Sequence, residues 1–247
     1  MHAKEYKEKN INLWKEFYLD KIDSSWQSFF QIEREKKYFF ILLEEVENEY
    51  KNFSCWPLKN NIFRLFREIS LERIKVIILG QDPYHQKEIA DGIAFSTQKK
   101  NYIPPSLKNI FFELKKDTNF SPLIKFKTIS GNLLPWVKEG VFLINTILTV
   151  RENSPLSHED IWKEFTFSLF KYLKEYDGKL IWVFWGNKAK NIKKIHSIKD
   201  EYSLSSSHPS PFNNKLGNFL NSKPFSNINK MLEKLKRKKI NWLIIFN

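Results

Sequence analysis

Cysteine occurs once in this 247-residue chain, as Cys55, and a single thiol excludes an internal disulfide and any zinc site built on cysteines. Beside Trp56-Pro57 it reads as a small core or interface residue, and the expected compartment is a reducing one, the cytoplasm. Missing too is any apolar run near the roughly 20 residues that span a bilayer, so no membrane partner is expected. The first residues mix Lys4, Glu5, Lys7 and Glu8 without an apolar stretch, and read as neither a secretory signal nor a transit peptide. With no internal repeat and no low-complexity linker, one domain over residues 1–247 is expected, with 1–23 as a peripheral N-terminal helix. Acidic residues are in the minority: 28 Asp and Glu face 41 Lys and Arg, for a net charge of +13. That excess points to a polyanion, nucleic acid or an anionic surface. A residue choice leaning on Lys, Ile, Asn and Phe, as an AT-rich gene would produce, accounts for part of it, so charge alone is a modest pointer.

What is present is enough for a large core, with 42% hydrophobic and 16% aromatic residues. The stretch around which the rest is organised is Lys75 to His85, K-V-I-I-L-G-Q-D-P-Y-H. Val76 to Leu79 is an unbroken aliphatic run, the mark of a strand buried on both faces. Gly80 ends it and Pro83 forbids its continuation. Gln81, Asp82, Tyr84 and His85 then crowd one tight loop. In an open parallel sheet, ligands bind beyond the carboxyl ends of the strands. A carboxylate and an imidazole therefore stand where chemistry is expected, although a lone D-x-x-H is more often a polar turn.

Further strand candidates are Val141 to Ile144 running into Asn145, Leu180 to Phe184 ended by Trp185-Gly186, and a weaker Tyr202 to Leu204. Helical patterns cover Tyr38 to Glu47, Ile62 to Ile69, and Leu107 to Leu114, the last capped by Ser106 after the stiff turn at Ile103, Pro104 and Pro105. Two more run through Ile161, Phe165, Leu169 and Leu173, and through Ile228, Met231, Leu232 and Leu235, the latter capped by Ser226. Strands alternating with helices imply the α/β class: a central, mainly parallel four-stranded sheet flanked by helices. All four strand-end loops then open on one edge. Asp82, Asn145 and His208 should face one pocket, although more than sixty residues separate each from the next.

A pocket of carboxylate, amide, imidazole and aromatic rings, without a metal-ligand cluster, suits hydrolysis that needs no metal. Asn145 donates and accepts at once, so it can read the O4 and N3–H edge of a pyrimidine. Phe95 offers a face for stacking, and the proline- and serine-rich loops offer N–H and hydroxyl groups to phosphates. Each residue also has a plainer reading. Asn145 could be a helix cap, Phe95 core, His208 a turn residue, His158 a helix-start residue, and the Lys236 to Lys239 run a solvated basic segment. His2 and His196 read as exposed.

Five segments in order shift the balance: G-Q-D-P-Y-H at 80–85, G-I-A-F-S at 92–96, I-P-P-S-L-K-N-I at 103–110, G-V-F-L-I-N-T-I-L-T-V at 140–150 and H-P-S-P-F at 208–212. They closely resemble the motifs of family 1 uracil-DNA glycosylases, a likeness running from about Ser24 through Trp242. The resemblance implies an enzyme that flips deoxyuridine out of single- or double-stranded DNA and cleaves its N-glycosidic bond, leaving an abasic site for base excision repair. It implies that Asp82 orients the attacking water and stabilises the oxocarbenium-like sugar, while His208 donates to O2 of the departing base. Gln81 would form the pocket floor through its backbone, and Phe95 would stack on the base. Tyr84 would pack beside C5 and clash with the methyl of thymine, and Asn145 would select uracil over cytosine. His85 would support the water site from behind Asp82. Pro104, Pro105, Ser106, Gly186, Asn187 and Ser210 would contact DNA, and Phe212 would wedge into the duplex. No cofactor or metal is implied; the family analogy adds a proteinaceous inhibitor as a partner and a monomeric state.

The chain also departs from the family pattern. Phe212 stands where Leu is usual, and duplex activity is expected to persist with an altered balance between single- and double-stranded substrates. Gln86 to Ile89 replaces a stretch richer in Gly and Pro, Asp91 stands in place of His, Asn187 in place of Ser and Thr97 in place of Val. These touch loop geometry and one phosphate contact, but remove no proposed catalytic group. Two rival readings remain at this point. One is a non-catalytic DNA-binding relative, such as a polymerase accessory factor, which has no need of Asp82, Asn145 and His208 together. The other is a metal-dependent phosphoesterase on Asp82 and His85, for which further Asp/His clustering is missing.

Overall fold

The computed structural model describes residues 12–119, 130–211 and 219–246. Phe212, the expected wedge, and His2 lie outside the described residues. Among the described residues six strands form two sheets: β1 (Cys55–Trp56), β2 (Val76–Gly80), β3 (Val141–Asn145), β4 (Val150–Arg151), β5 (Ile181–Trp185) and β6 (Ser203–Ser206). The central sheet has the order β3-β2-β5-β6, and all three of its pairings are parallel. β2, β3 and β5 are buried at every position, which is why they read as unbroken apolar runs, whereas β6 is a partly exposed edge rich in serine. The antiparallel pair of β1 with β4 was not expected, since two residues per strand leave no periodic signal.

Among the described residues the helices around the sheet include α1 (Gln27–Arg34), α2 (Lys37–Asn52), α3 (Leu65–Glu68), α4 (Pro105–Asp117), α5 (Leu134–Lys138), α6 (Glu159–Tyr176), α7 (Asn187–Ile195) and α8 (Pro224–Lys234). An aromatic cluster cements α1, α2 and α6 to β3. Trp26 stacks on Phe142 at 5.4 Å and meets Phe66 edge-on at 4.9 Å, while Phe30, Phe63 and Phe165 close around them. A second cluster joins Trp136, Phe225 and Trp242. Leu13, Phe17 and Leu19 belong to the same buried core. Among the described residues no helix is long and apolar enough to cross a membrane.

Five local expectations are corrected. Ser106 does not cap α4: Pro104 precedes the helix and Pro105 opens it, a position where proline's fixed φ and missing N–H cost nothing, which leaves Ser106 inside the first turn. Ser226 does not cap α8, which starts at Pro224; the Ser226 N–H and hydroxyl are instead taken by the Asp117 carboxylate from the end of α4, with the N–H bond at 2.9 Å. His196 is buried, 6% exposed, with its ring against Phe167 and Phe170. The helix expected over 62–69 contracts to the single turn of α3, and the fourth strand begins one residue late and extends to Ser206.

Candidate active site

Because the four central strands run parallel, their carboxyl ends share one edge, and the loops leaving them meet there. The loop after β2 is tied to the end of β3: the Gln81 carbonyl accepts both Ile147 N–H and Thr146 Oγ1–H at 2.9 Å. In register, Gly80 lies opposite Asn145. A Cβ at position 80 would stand 2.0 Å from Asn145 Oδ1, so the missing side chain is what gives the amide its seat. Gly186, at the end of β5, has φ +96°, and a Cβ there would press on His208 Cβ at 3.0 Å. Glycine meets both demands.

Around this edge lies a cavity of about 660 Å³. Gln81, Asp82, Tyr84, His85, Phe95, Asn145 and His208 line it, joined by Pro104, Pro105, Ser106 and Ser210. Gly186 and Asn187 do not line it; Gly186 backs His208, and Asn187 opens α7 on the exposed side. Three polar side chains far apart in the chain are thus gathered at one pocket.

Burial shapes their chemistry. The Asp82 carboxyl is pushed above the usual carboxylate range by removal from water, opposed by a 3.0 Å hydrogen bond from Leu156 N–H to Oδ2 and by the nearby charges of His85 and Lys188. Burial lowers the His208 imidazole, which favours the neutral ring at neutral pH. Its Nδ1 accepts Ser210 N–H at 3.0 Å, which leaves the ring proton on Nε2. The Tyr84 phenol is pushed up by burial and donates to the Phe95 carbonyl at 3.0 Å. His85 Nδ1 is buried without a hydrogen-bond partner, while Nε2 lies 3.3 Å from the Gln86 amide.

Phe95 is both wall and core: 9% exposed, it faces Trp185 at 5.5 Å and His208 at 6.1 Å. It holds φ +64°, a costly conformation for an aromatic residue. Asp91 braces this turn from behind, accepting Ile93 N–H (3.1 Å), Ser96 Oγ–H (2.7 Å) and the Arg64 guanidinium (3.1 Å). Asn109 of α4 donates to the Pro209 carbonyl at 2.7 Å and ties down the loop that carries His208. In the sequence Asp91 stands out only as a departure from the family pattern, and neither Arg64 nor Asn109 is singled out for these roles. A buried Asp in a glycine turn with an arginine on the preceding helical segment was the available signal for the first pair.

Among the described residues one cluster has metal-like spacing, formed by Glu49, Cys55 and His158. Its donors do not fit a cation. Burial pushes the Cys55 thiol up to about 11, and Arg151 already occupies the Glu49 carboxylate and holds it below the usual range. His158 Nε2 carries the proton that it shares with Glu49 at 3.0 Å.

Residues 66–234 match the family model of the uracil DNA glycosylase superfamily. The uracil-DNA glycosylase of Mycoplasmopsis pulmonis is 42% identical over 224 residues, covering 90% of this chain and 98% of the relative. The chain belongs to the uracil-DNA glycosylase superfamily. The Fusobacterium nucleatum uracil-DNA glycosylase is 39% identical, over 92% of this chain and 98% of its own. The crystal structure of mimivirus uracil-DNA glycosylase superposes with a TM-score of 0.80 at 27% identity, covering 97% of this chain and 92% of the other. A mimivirus UNG variant in complex with UGI also scores 0.80, at 30% identity over 89% and 88%. Membership in this superfamily fixes the architecture in which the pocket is read.

Proposed function

We propose that this chain hydrolyses the N-glycosidic bond of deoxyuridine in DNA, releasing uracil and leaving an abasic site. The observation that carries the reading is the gathering of Asp82, Asn145, Phe95 and His208 around one cavity, on a chain about 40% identical to uracil-DNA glycosylases over nearly its whole length. A nucleotide must leave the stack to enter such a recess. Phe95 then stacks on the base, and the Asn145 amide pairs with O4 and N3–H, an edge that cytosine presents with the opposite polarity. Tyr84, fixed by its bond to the Phe95 carbonyl, stands against C5 and excludes the methyl of thymine. Glycosidic cleavage leaves positive charge on the sugar and negative charge on the base. Asp82 faces the first; the neutral His208 turns its Nε2–H to O2 of the second, an aimed donor worth about 3–4 kcal/mol in comparable sites. Water attacks the sugar carbon beside Asp82, and the unpartnered His85 Nδ1 is suited to holding it.

Pro104, Pro105, Ser106, Ser210 and the helix start at Gly186-Asn187 contact phosphates around the extruded nucleotide, and Phe212 fills the gap it leaves. A proteinaceous inhibitor that covers this rim is a partner by analogy with the mimivirus variant seen in complex with UGI. The protein acts as one catalytic domain over residues 1–247, as a monomer, in the cytoplasm. The test is release of uracil from a uracil-containing oligonucleotide in EDTA. Wild type is expected to be active, with Asp82→Asn and His208→Ala each reduced by at least about a hundredfold. Absence of release by wild type would refute the enzyme reading, and release that persists in EDTA dismisses the metal-dependent phosphoesterase.

A further inference from the structure

The loop that follows β4 touches the Asp82 loop twice. Asn153 N–H donates to the His85 carbonyl at 3.0 Å, and Leu156 N–H donates to Asp82 Oδ2 at 3.0 Å. Both donors hold left-handed backbone, φ +59° and +65°. Asparagine tolerates that conformation; leucine takes it only when its surroundings impose it.

What imposes it lies on either side of the leucine. The Ser157 hydroxyl accepts Arg151 N–H at 2.8 Å, and the Leu156 carbonyl accepts Glu159 N–H at 3.0 Å. His158 is fully buried, and both ring nitrogens are used. Nδ1 takes the Thr149 hydroxyl proton at 2.7 Å, while that hydroxyl oxygen accepts Trp162 Nε1–H at 2.7 Å. Nε2–H donates to Glu49 at 3.0 Å, and Arg151 grips the same carboxylate through Nη2 at 2.7 Å and through Nε. A neutral ring with one fixed tautomer is thus wedged between α2 and α6.

We propose that Glu49, His158 and the left-handed Leu156 are positioning residues for Asp82, holding one amide N–H against Oδ2 so that the carboxylate stays aimed into the cavity. The proposal rests on the role given to Asp82 above and extends it to residues outside the cavity wall. The other charged groups facing Asp82 are His85 on its own loop and Lys188 on α7, the latter engaged with Glu159 at 3.3 Å. Facing His158 are Glu49 of α2 and Arg151 of β4. A carboxylate that loses a charge-assisted hydrogen bond becomes easier to protonate, so loosening this buttress must move the acid limb of catalysis to higher pH.

The experiment compares pH profiles of kcat and KM for uracil release by wild type, His158→Ala, His158→Gln, Leu156→Val and Leu156→Gly, with urea unfolding of each. His158→Ala and Leu156→Val, whose β-branch resists positive φ, are expected to raise the acid limb of kcat by about one pH unit, a loss approaching tenfold well below the wild-type midpoint, with KM within about twofold. His158→Gln retains an N–H for Glu49, and Leu156→Gly accepts the left-handed backbone, so both should return the limb toward wild type. A folded His158→Ala or Leu156→Val whose acid limb coincides with that of wild type overturns the proposal, whatever its stability. Should His158→Ala lose cooperative unfolding, Leu156→Val probes the same hydrogen bond from the loop itself. A wild type that releases no uracil fails the reading of the site first, and removes this inference with it.

Discussion

The aromatic cluster beneath the sheet and the polar collar at its edge are built on opposite principles. In the cluster, Trp26, Phe30, Phe63, Phe66, Phe142 and Phe165 each touch several others, at centroid separations of 4.9 to 6.3 Å. The apolar burial in such contacts is non-directional and redundant, and its sum dominates stability. In the collar, directional bonds such as Leu156 N–H to Asp82 and Ser210 N–H to His208, and the absence of a side chain at Gly80 and Gly186, place Asp82, Asn145 and His208. Truncation should therefore cost energy in the cluster and geometry in the collar.

The sharpest way to break this contrast is Asp82→Asn. It should lower kcat by about a thousandfold. The folded protein holds Asp82 above its ordinary pKa, so at pH 7 the ionised carboxylate disfavours the folded state, and the uncharged amide relieves that penalty. Urea unfolding should show a midpoint at or above that of wild type; a clear drop would mean that the collar also carries stability. The converse variant, Phe165→Ala, should lose about 3–5 kcal/mol in urea unfolding. Its kcat under native conditions should stay within about twofold of wild type, and a large kcat loss in a folded sample would erase the distinction. The smallest effect expected is on pH. Burial lowers His158, His196 and His208, so on acidification the unfolded chain takes up their protons first. Stability should be full above about pH 6.5 and decline as pH falls below it. His196→Gln, away from the collar, should flatten that decline without moving the pH profile of kcat.

The strands of the central sheet were legible because three are buried on both faces and so carry unbroken apolar runs, and parallel topology then dictated that Asp82, Asn145 and His208 would share an edge. The caps were misread because a serine near a helix start is an ambiguous signal. Pro105 and Pro224 at the first helical position were the better markers, and Asp117 reaches Ser226 from another helix, which no local window reports. Nothing in the sequence marks Leu156 as left-handed, since leucine is not a turn former; that conformation exists only because residues from α2, β4 and α6 enclose the loop. His196, just past α7, owes its burial to Phe167 and Phe170 of α6, partners that no local window of sequence shows.

The strand order has a consequence for how the protein comes into being. β2 is central, yet its neighbours lie more than sixty and more than a hundred residues downstream, so its early synthesis gives it nothing to pair with. Contacts of such sequence separation form late and slowly. The pocket at the sheet edge gains His208 only once β6 has docked on β5, so the proposed site is among the last parts of the central sheet to be completed.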